Sequence, residues 1–429
     1  MIMKGRRAGD LSGKDGLMME VLYERCCALD VHKKTVIVCV ATRDGKQTRT
    51  FATMTSDLLE LADYLVSKGC THVAMESTGV YWKPIYNILD GLGMELLVVN
   101  ARDIKAVPGR KTDVKDAEWI CDLLRHGLLR GGFIPDRSQR ELRELVRYRK
   151  GLVQERSREV NRIQKVLEGA NIKLGDVATN VMGKSGQAIL EALVQGNTDP
   201  ESLAGLAKGK LRRKNEQLAR ALHGLIGPHQ RMMLSTQLGH IRFLDGQIER
   251  LNREVEERMR PFEEAIEAID AIPGVGRRIA EEVLAETGAD MAQFPTAAHL
   301  ASWVGVCPGN NESAGKRKSG RARKGNPHAR QALVEAAQSA AHTKDTYLSS
   351  QYHRIAARRG NKRAIVAVAH TILTIMYHIL TERTTYRELG PDHFDKLNQD
   401  AVARRAIKKL ETLGYKVTIE PLSTLECSA

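Results

Sequence analysis

Residues 26–53 read CCALDVHKKTVIVCVATRDGKQTRTFAT. Two β-branched runs flank Asp44-Gly45, a pair that favours a tight hairpin. Downstream the pattern alternates. SDLLELADYLVSKG (56–69) spaces its apolar residues helically between a Ser cap and Gly69. THVAMEST (71–78) reads as a third apolar strand, Trp82 to Gly91 as a helix, and MELLVVN (94–100) as a fourth strand. A basic loop and a helix from Thr112 to Gly127 follow. A hairpin, then helices alternating with strands, predicts an α/β domain with a mixed sheet over residues 23–137.

From Ser138 onward the sequence changes character. SQRELRELVRYRKGLVQERSREVNRIQKVLEGA (138–170) is highly charged and lacks proline, with leucines and valines near heptad spacing. A second such segment spans 235–269. Two long amphipathic helices of this kind can pair antiparallel as a coiled coil, join helices of another subunit, or sit in one bundle. They define a region over 138–265. Inside it, 172–234 reads as a helical insertion carrying the basic cluster Lys208, Lys210, Arg212, Arg213 and Lys214. A mainly α unit is expected over 266–385, and a helical tail over 386–429 with a short strand, YKVTIEPL. Residues 1–22 read as a flexible lead-in without the apolar core of a signal peptide.

The net charge of +14 favours association with a polyanion, chiefly nucleic acid. Seven cysteines show no C-x-x-C spacing, which suits buried thiols in a reducing compartment. No run of about 18 apolar residues stands out, so no membrane span is expected.

Four carboxylates stand out. Asp30 holds a charge within the run ALDVHKKTVIV, an expensive position unless a metal or cation partners it. Glu76 closes the strand THVAME. Asp113 and Asp116, three apart at a helix start, share one face and follow a basic loop holding Arg102, Lys105, Arg110 and Lys111. Converging on one point, these carboxylates would suit Mg²⁺ or Mn²⁺. Singly, each has an ordinary role: Asp113 can cap a helix, and Glu76 can be a surface carboxylate.

A second group lies downstream. AIDAIPGVGRRIAEEVLAETG (268–288) has the form of a helix-hairpin-helix: Gly274 and Gly276 permit the turn, and Arg277 and Arg278 add charge where helix N–H groups can meet a phosphate. Residues 300–337 place Ser313 in a Gly/Asn/Ser loop. Seven cations follow, among them Lys316, Arg317, Lys318, Arg321, Arg323 and Lys324. A loop serine in a basic stretch is no nucleophile unless something activates its hydroxyl.

The segments LDVHKKT (29–35), MESTGVYW (75–82) and KTDVKDAEWICDLL (111–124) resemble the N-terminal domain of the IS110/IS1111-type transposases. That resemblance covers about 25–165 and resumes near 265. It implies a RuvC-like RNase H fold with a D-E-D-D set: Asp30, Glu76, Asp113 and Asp116. The later segment is similar to the C-terminal transposase domain of the same family, with its P-x-x-x-x-S-x-G-K pattern. Ser313 is thereby implied as the nucleophile of a phosphoserine–DNA intermediate. Ala314 departs from the family's glycine there, and Ser319 lies outside the pattern. The resemblance further implies donor and target DNA, a noncoding guide RNA, and a bacterial or archaeal cytoplasmic setting at the nucleoid. The catalytic centre would be shared between the subunits of a dimer or tetramer. Two rival readings fit the residues: a RuvC-like junction nuclease that uses metal-bound water, and a non-enzymatic scaffold whose carboxylates are structural.

Overall fold

Strand β1 (Cys26–Val31) is buried along its whole length, and the sheet grows outward from it. It pairs antiparallel with β2 (Thr35–Thr42), which pairs antiparallel with β3 (Gly45–Ala52). On its other side β1 pairs in parallel with β4 (His72–Glu76), and β4 with β5 (Glu95–Val99). The order is therefore β3-β2-β1-β4-β5. Order and directions are consistent with an RNase H-like domain. The computed structural model describes residues 20–77, 79–100, 116–309, 311–313, 316–320, 322 and 324–418.

The first run is two strands, not one. The chain reverses at His32–Lys34, where the His32 N–H donates to the Thr35 carbonyl at 2.9 Å. Charged residues without Gly or Pro make this turn, so no ordinary turn signal marks it. One sheet face carries Cys27, Leu29, Val31, Val73 and Met75 beneath α1 (Thr55–Ser67) and α2 (Trp82–Leu89). Met54 precedes α1 as its cap without a side-chain bond, so the expected Ser56 cap is not used. The opposite face, Cys26, Ala28, Cys39 and Ala74, packs against α3 (Asp116–Arg125) through Ala117, Ile120, Cys121 and Leu124.

The chain divides into two compact units at Ile134 and Pro135. In the second, α4 (Arg137–Gly169) runs 33 residues, about 50 Å at 1.5 Å per residue. Leu174–Val177 (α5), Lys184–Val194 (α6), Pro200–Gly205 (α7), a 3₁₀ turn at Gly209–Lys214 and Asn215–Leu222 (α8) form the insertion. Then α9 (Pro228–Met259) returns. Glu141 pairs with Arg258, Arg156 with Asp245, and Glu159 with His240. One number climbs as its partner falls, so the two helices lie antiparallel. The insertion has its own core: Ile189, Leu190, Leu203 and Leu218 close over Ile163, Leu167, Leu234 and Leu238 at the ends of the long helices. The second long segment starts at Pro228 and breaks at Pro261, short of the expected Ile269.

The remainder is helical: α10 (Glu263–Asp270), α11 (Arg277–Thr287), α12 (Ala297–Val304), α13 (Pro327–His342), α14 (Tyr347–Arg359), α15 (Asn361–Glu382), α16 (His393–Lys396) and α17 (Gln399–Thr412). A two-stranded hairpin, β6 (Asn311–Ser313) with β7 (Lys316–Ser319), interrupts it. Helix α15 corrects one expectation, since its length and mean hydropathy of 1.8 would suffice to cross a membrane. Here it packs against α10, α12, α13 and α14 and buries Val368, Ile372, Leu373 and Met376. Tyr415–Thr418 belong to no strand, and the rest of the expected closing strand lies outside the described residues.

Candidate catalytic carboxylates and serine hairpin

Side chains alternate along a strand, so Asp30 shares the α3 face with Cys26 and Ala28, and Glu76 shares it with Ala74. Leu29 pairs with Met75, and the next residue of each strand is Asp30 and Glu76. The register thus sets both carboxylates side by side where two parallel strands end, the edge at which open α/β sheets bind ligands. Asp30 is 8% exposed, and its Oδ2 lies 3.2 Å from Nε2 of the exposed His32. Glu76 is half-buried. Asp116 opens the helix that covers this face, its Oδ1 closed off from solvent.

Asp30 and Glu76 therefore belong to one face of one sheet, and Asp116 to the helix packed on that face. Among the described residues, no three acidic, imidazole or thiol groups close into a metal-sized cluster. Asp113, the fourth expected carboxylate, lies outside the described residues, as do Arg102, Lys105, Arg110 and Lys111. The cysteines of this unit are free and buried. Burial pushes the Cys70 thiol up to about 11. The Cys121 thiol, hydrogen-bonded to Cys26 and buried, rises to about 12. These thiols stay protonated and fill space.

In the second unit, α10 and α11 are joined at Gly274, whose φ is +86°. A Cβ there would lie 2.4 Å from the Ala336 carbonyl and 2.5 Å from the Ala340 nitrogen. The glycine thus serves close packing on α13 as well as the turn. Arg277 is not the open cation the sequence suggested. Its guanidinium is bidentate to Glu263 at 2.5 and 2.9 Å, and Nε reaches Glu281 at 3.2 Å. Arg278 is exposed and makes no ion pair among the described residues. Gly276 has open space where a Cβ would stand.

Ser313 sits in a strand, where the sequence suggested a loop. It pairs with Lys316, which puts it at the turn end of the hairpin. A bulge between Asn311 and Glu312 shifts the register, so Asn311 faces Ser319 and Glu312 faces Arg317. A bridge between Pro308 and Ala322 closes the base. Lys316, Arg317 and Lys318 lie on β7, Lys324 is exposed beyond it, and Arg321 and Arg323 lie outside the described residues.

The exit of the hairpin is anchored by residues the sequence did not single out. The Asn326 N–H donates to the Trp303 carbonyl at 3.0 Å, and a Cβ on Gly325 would lie 2.4 Å from the Val304 carbonyl carbon. Asn326 accepts from the His328 and Ala329 N–H groups, capping α13, and its Nδ2 donates to Glu286 at 2.7 Å. Glu286, 2% exposed, also receives a bidentate Arg147 at 2.6 and 2.8 Å. Arg143 donates to its backbone carbonyl. Burial opposes ionisation of Glu286, yet Arg147, Asn326 and Arg143 hold its carboxyl below the usual value. Burial, with its cationic neighbours, draws Arg143 down to about 10. Beside this network Arg149 pairs with Glu281, both buried, at 2.8 Å. The available signal was Arg143, Arg147 and Lys150, cations three and four apart along a helix that must bury a face.

Two family models match the chain. One, a transposase of the DEDD type of IS110 elements, covers residues 27–172. The other, a transposase of the IS116/IS110/IS902 family, covers 266–354. A probable family 20 transposase of Pseudomonas aeruginosa is 25% identical over 322 residues, 73% of this chain and 85% of that one. The 42 kDa protein of insertion element IS900 from Mycobacterium paratuberculosis is 30% identical over 329 residues, 70% and 80% of the two chains. The transposase for insertion sequence element IS1111A of Coxiella burnetii is 25% identical over 328 residues, 74% and 79%. With the sheet unit and the hairpin-bearing unit each matched, and in chain order, the class is a DNA-processing enzyme, a transposase. The chain belongs to the IS110 family of transposases.

Proposed function

We propose that this transposase cuts and rejoins the strands of an insertion element through a covalent serine intermediate. The observation that carries the reading is the in-phase ending of β1 and β4, which sets Asp30 beside Glu76 on the face that α3 covers. Their donors are hard carboxylate oxygens, which fit Mg²⁺ or Mn²⁺ in kind. Asp30, Glu76 and Asp116, with Asp113, would hold the ion, which when bound neutralises charge at the phosphate.

Ser313 supplies the nucleophile. Its Oγ attacks phosphorus, the bond to the 3′ oxygen breaks, and that oxygen takes up the proton the serine gives up. The enzyme is left esterified to a 5′ phosphate beside a free 3′-hydroxyl. Attack by another 3′-hydroxyl reverses the step and returns the serine, so no phosphodiester is lost. Position at the turn end of a hairpin suits a hydroxyl that must approach a phosphate.

Donor and target DNA are the substrates of this reading, and a noncoding RNA of the element guides it. Lys184, Lys208, Lys210 and Lys214 line a cleft of about 660 Å³ in the insertion, with Arg212 and Arg213 adjacent. None of the six makes an ion pair among the described residues, which supports a polyanion partner there. The active assembly is a dimer or tetramer. The helices already pair within the chain, and Tyr148, Val153 and Phe243 stay exposed on their outer surface for a second copy.

Labelled element-end DNA incubated with the protein and Mg²⁺, then resolved on a denaturing gel, tests this. A protein-linked band that vanishes in Ser313→Ala is expected. Undiminished strand cleavage in Ser313→Ala, without a linked band in the wild type, would instead give the water-using junction nuclease. RNA transcribed from the flanking DNA should raise the yield of the linked band, and no response to it removes the guide.

A further inference from the structure

Two residues beyond Asp30 stands His32, and its imidazole turns back toward the carboxylate: Nε2 lies 3.2 Å from Asp30 Oδ2. Local structure holds it there. Side chains two apart along an extended chain point to the same side, so the residue just past the end of β1 is carried to the side on which Asp30 lies. Lys33 and Lys34 make the reversal, since Val31 pairs with Val36 and the His32 N–H donates to the Thr35 carbonyl at 2.9 Å. Thr53, just past β3, donates its hydroxyl to the Lys33 carbonyl at 3.0 Å. The turn is thus fastened to the strands on either side of it, and His32 does not belong to a free loop.

Packing does not account for the ring. The His32 side chain is 55% exposed, whereas Asp30 is 8% exposed. A carboxylate so buried is costly without a partner. An ionised carboxylate only accepts, and Nε2 can bear a hydrogen in the neutral ring as well as in the charged one. The contact therefore does not require the ring to be charged. Carboxylates that hold a divalent ion are themselves held by neighbours, which set their orientation before the ion arrives.

We propose that His32 is a positioning residue for the divalent ion, an inference resting on the carboxylate reading above. Its Nε2 restrains Asp30 Oδ2 and so fixes the rotation of the carboxylate about its last bond. Without that restraint, part of the ion's binding free energy goes into ordering Asp30. The ring touches Asp30 and not a reacting atom, so its effect falls on ion affinity.

The test is Mn²⁺ binding to the full-length protein, followed by loss of the free ion's electron paramagnetic resonance signal. Sites that disappear in Asp30→Asn define the carboxylate centre. His32→Ala should weaken that centre roughly 10–100-fold, the usual cost of losing such a neighbour. His32→Gln, whose amide nitrogen can stand where Nε2 stands, should keep an affinity close to wild type, while the shorter His32→Asn should resemble His32→Ala. Protein-linked DNA should need correspondingly more Mg²⁺ in His32→Ala and reach wild-type yield once the ion saturates. Wild-type affinity in His32→Ala would overturn the proposal. So would a glutamine variant no better than the asparagine one, which would assign the effect to the ring's charge or bulk. A yield that stays low at every Mg²⁺ concentration would do the same, placing His32 in the chemical step. Should His32→Ala fail to fold, the glutamine and asparagine variants decide. Wild-type protein that binds Mn²⁺ no better than Asp30→Asn removes the carboxylate reading and His32 with it; a centre that His32→Ala leaves intact removes His32 alone.

Discussion

Asp30 stands in a strand buried on both faces, whereas Ser313 stands in a three-residue strand within a two-stranded sheet. The carboxylates are placed by register. Parallel pairing of β1 with β4 brings together residues 30 and 76, and slipping that pairing by one would turn every buried residue to the wrong face. The serine is placed by anchors at the foot of its hairpin: the Pro308–Ala322 bridge, the tight seat of Gly325, and Asn326 tied to Glu286 and so to Arg147. A side chain can therefore be removed from the carboxylate group without disturbing its scaffold, while the serine depends on buried charges far away in sequence.

That contrast can be broken most sharply by separating activity from stability. Asp30→Asn and Glu76→Gln should each lower the yield of protein-linked DNA by about 10²-fold or more, the scale of losing one preorganised charged group. Their melting temperatures should barely move, since neither change opens a cavity. A large stability loss in both would make these carboxylates structural. Glu286→Ala should lose stability as well. Removing one partner of a buried ion network costs about 3–5 kcal/mol, measured by denaturant unfolding. Its activity should also fall, by more than the loss of folded protein accounts for, because the foot of the serine hairpin loses an anchor. Next in size is Gly325→Ala, where the new methyl meets the backbone of Trp303, Val304 and Gly305. Overpacking against main chain costs about 1–3 kcal/mol. An unchanged melt would show that the hairpin exit is not held as tightly as its contacts imply.

The sheet unit was largely legible, because period-two alternation and a helix–strand rhythm are local signals that the buried core enforces. The turn at His32–Lys34 was missed since its residues lack turn chemistry, and only the antiparallel return of β2 reveals it. The serine hairpin was misread for the opposite reason. Gly, Asn and Ser suggested a loop, and nothing in so short a run shows that Ser313 will pair with Lys316. Arg277 was legible as a cation but not as a committed one, because Glu263 meets it only after α10 and α11 fold back on each other. Charged residues in α4 looked like the solvated face of a coiled coil. Their first stretch also docks onto α11 through Arg147, Arg149 and Lys150, while Glu141 and Arg156 tie the helix to α9. The pairings onto α11 join residues more than a hundred positions apart, beyond the reach of any periodicity.

The smallest expected effect separates two glutamates four residues apart on α11. Glu286 is held below its ordinary 4.5 because Arg147, Asn326 and Arg143 outweigh burial. Below 4.5 the unfolded chain takes up the proton first, so the stability contributed by Glu286 is present above that pH and is lost as pH falls through the folded value. Glu282 is raised above 4.5, since burial, aided by Glu335, outweighs Lys150 and Arg149. There the folded state binds the proton first, so stability rises as pH falls through the raised value toward 4.5. In the wild type the two slopes oppose each other across neighbouring pH ranges. Unfolding followed from pH 7 to pH 3 should show Glu286→Gln with a shallower acid loss than the wild type. Glu282→Gln should show a steeper loss as the pH falls toward 4.5, because its compensating uptake is gone. Identical acid profiles in the two variants would mean that Arg147 and Lys150 do not divide these carboxyls as the contacts indicate. The tie between Glu286 and the foot of the serine hairpin would then be weaker than the comparison with the sheet requires.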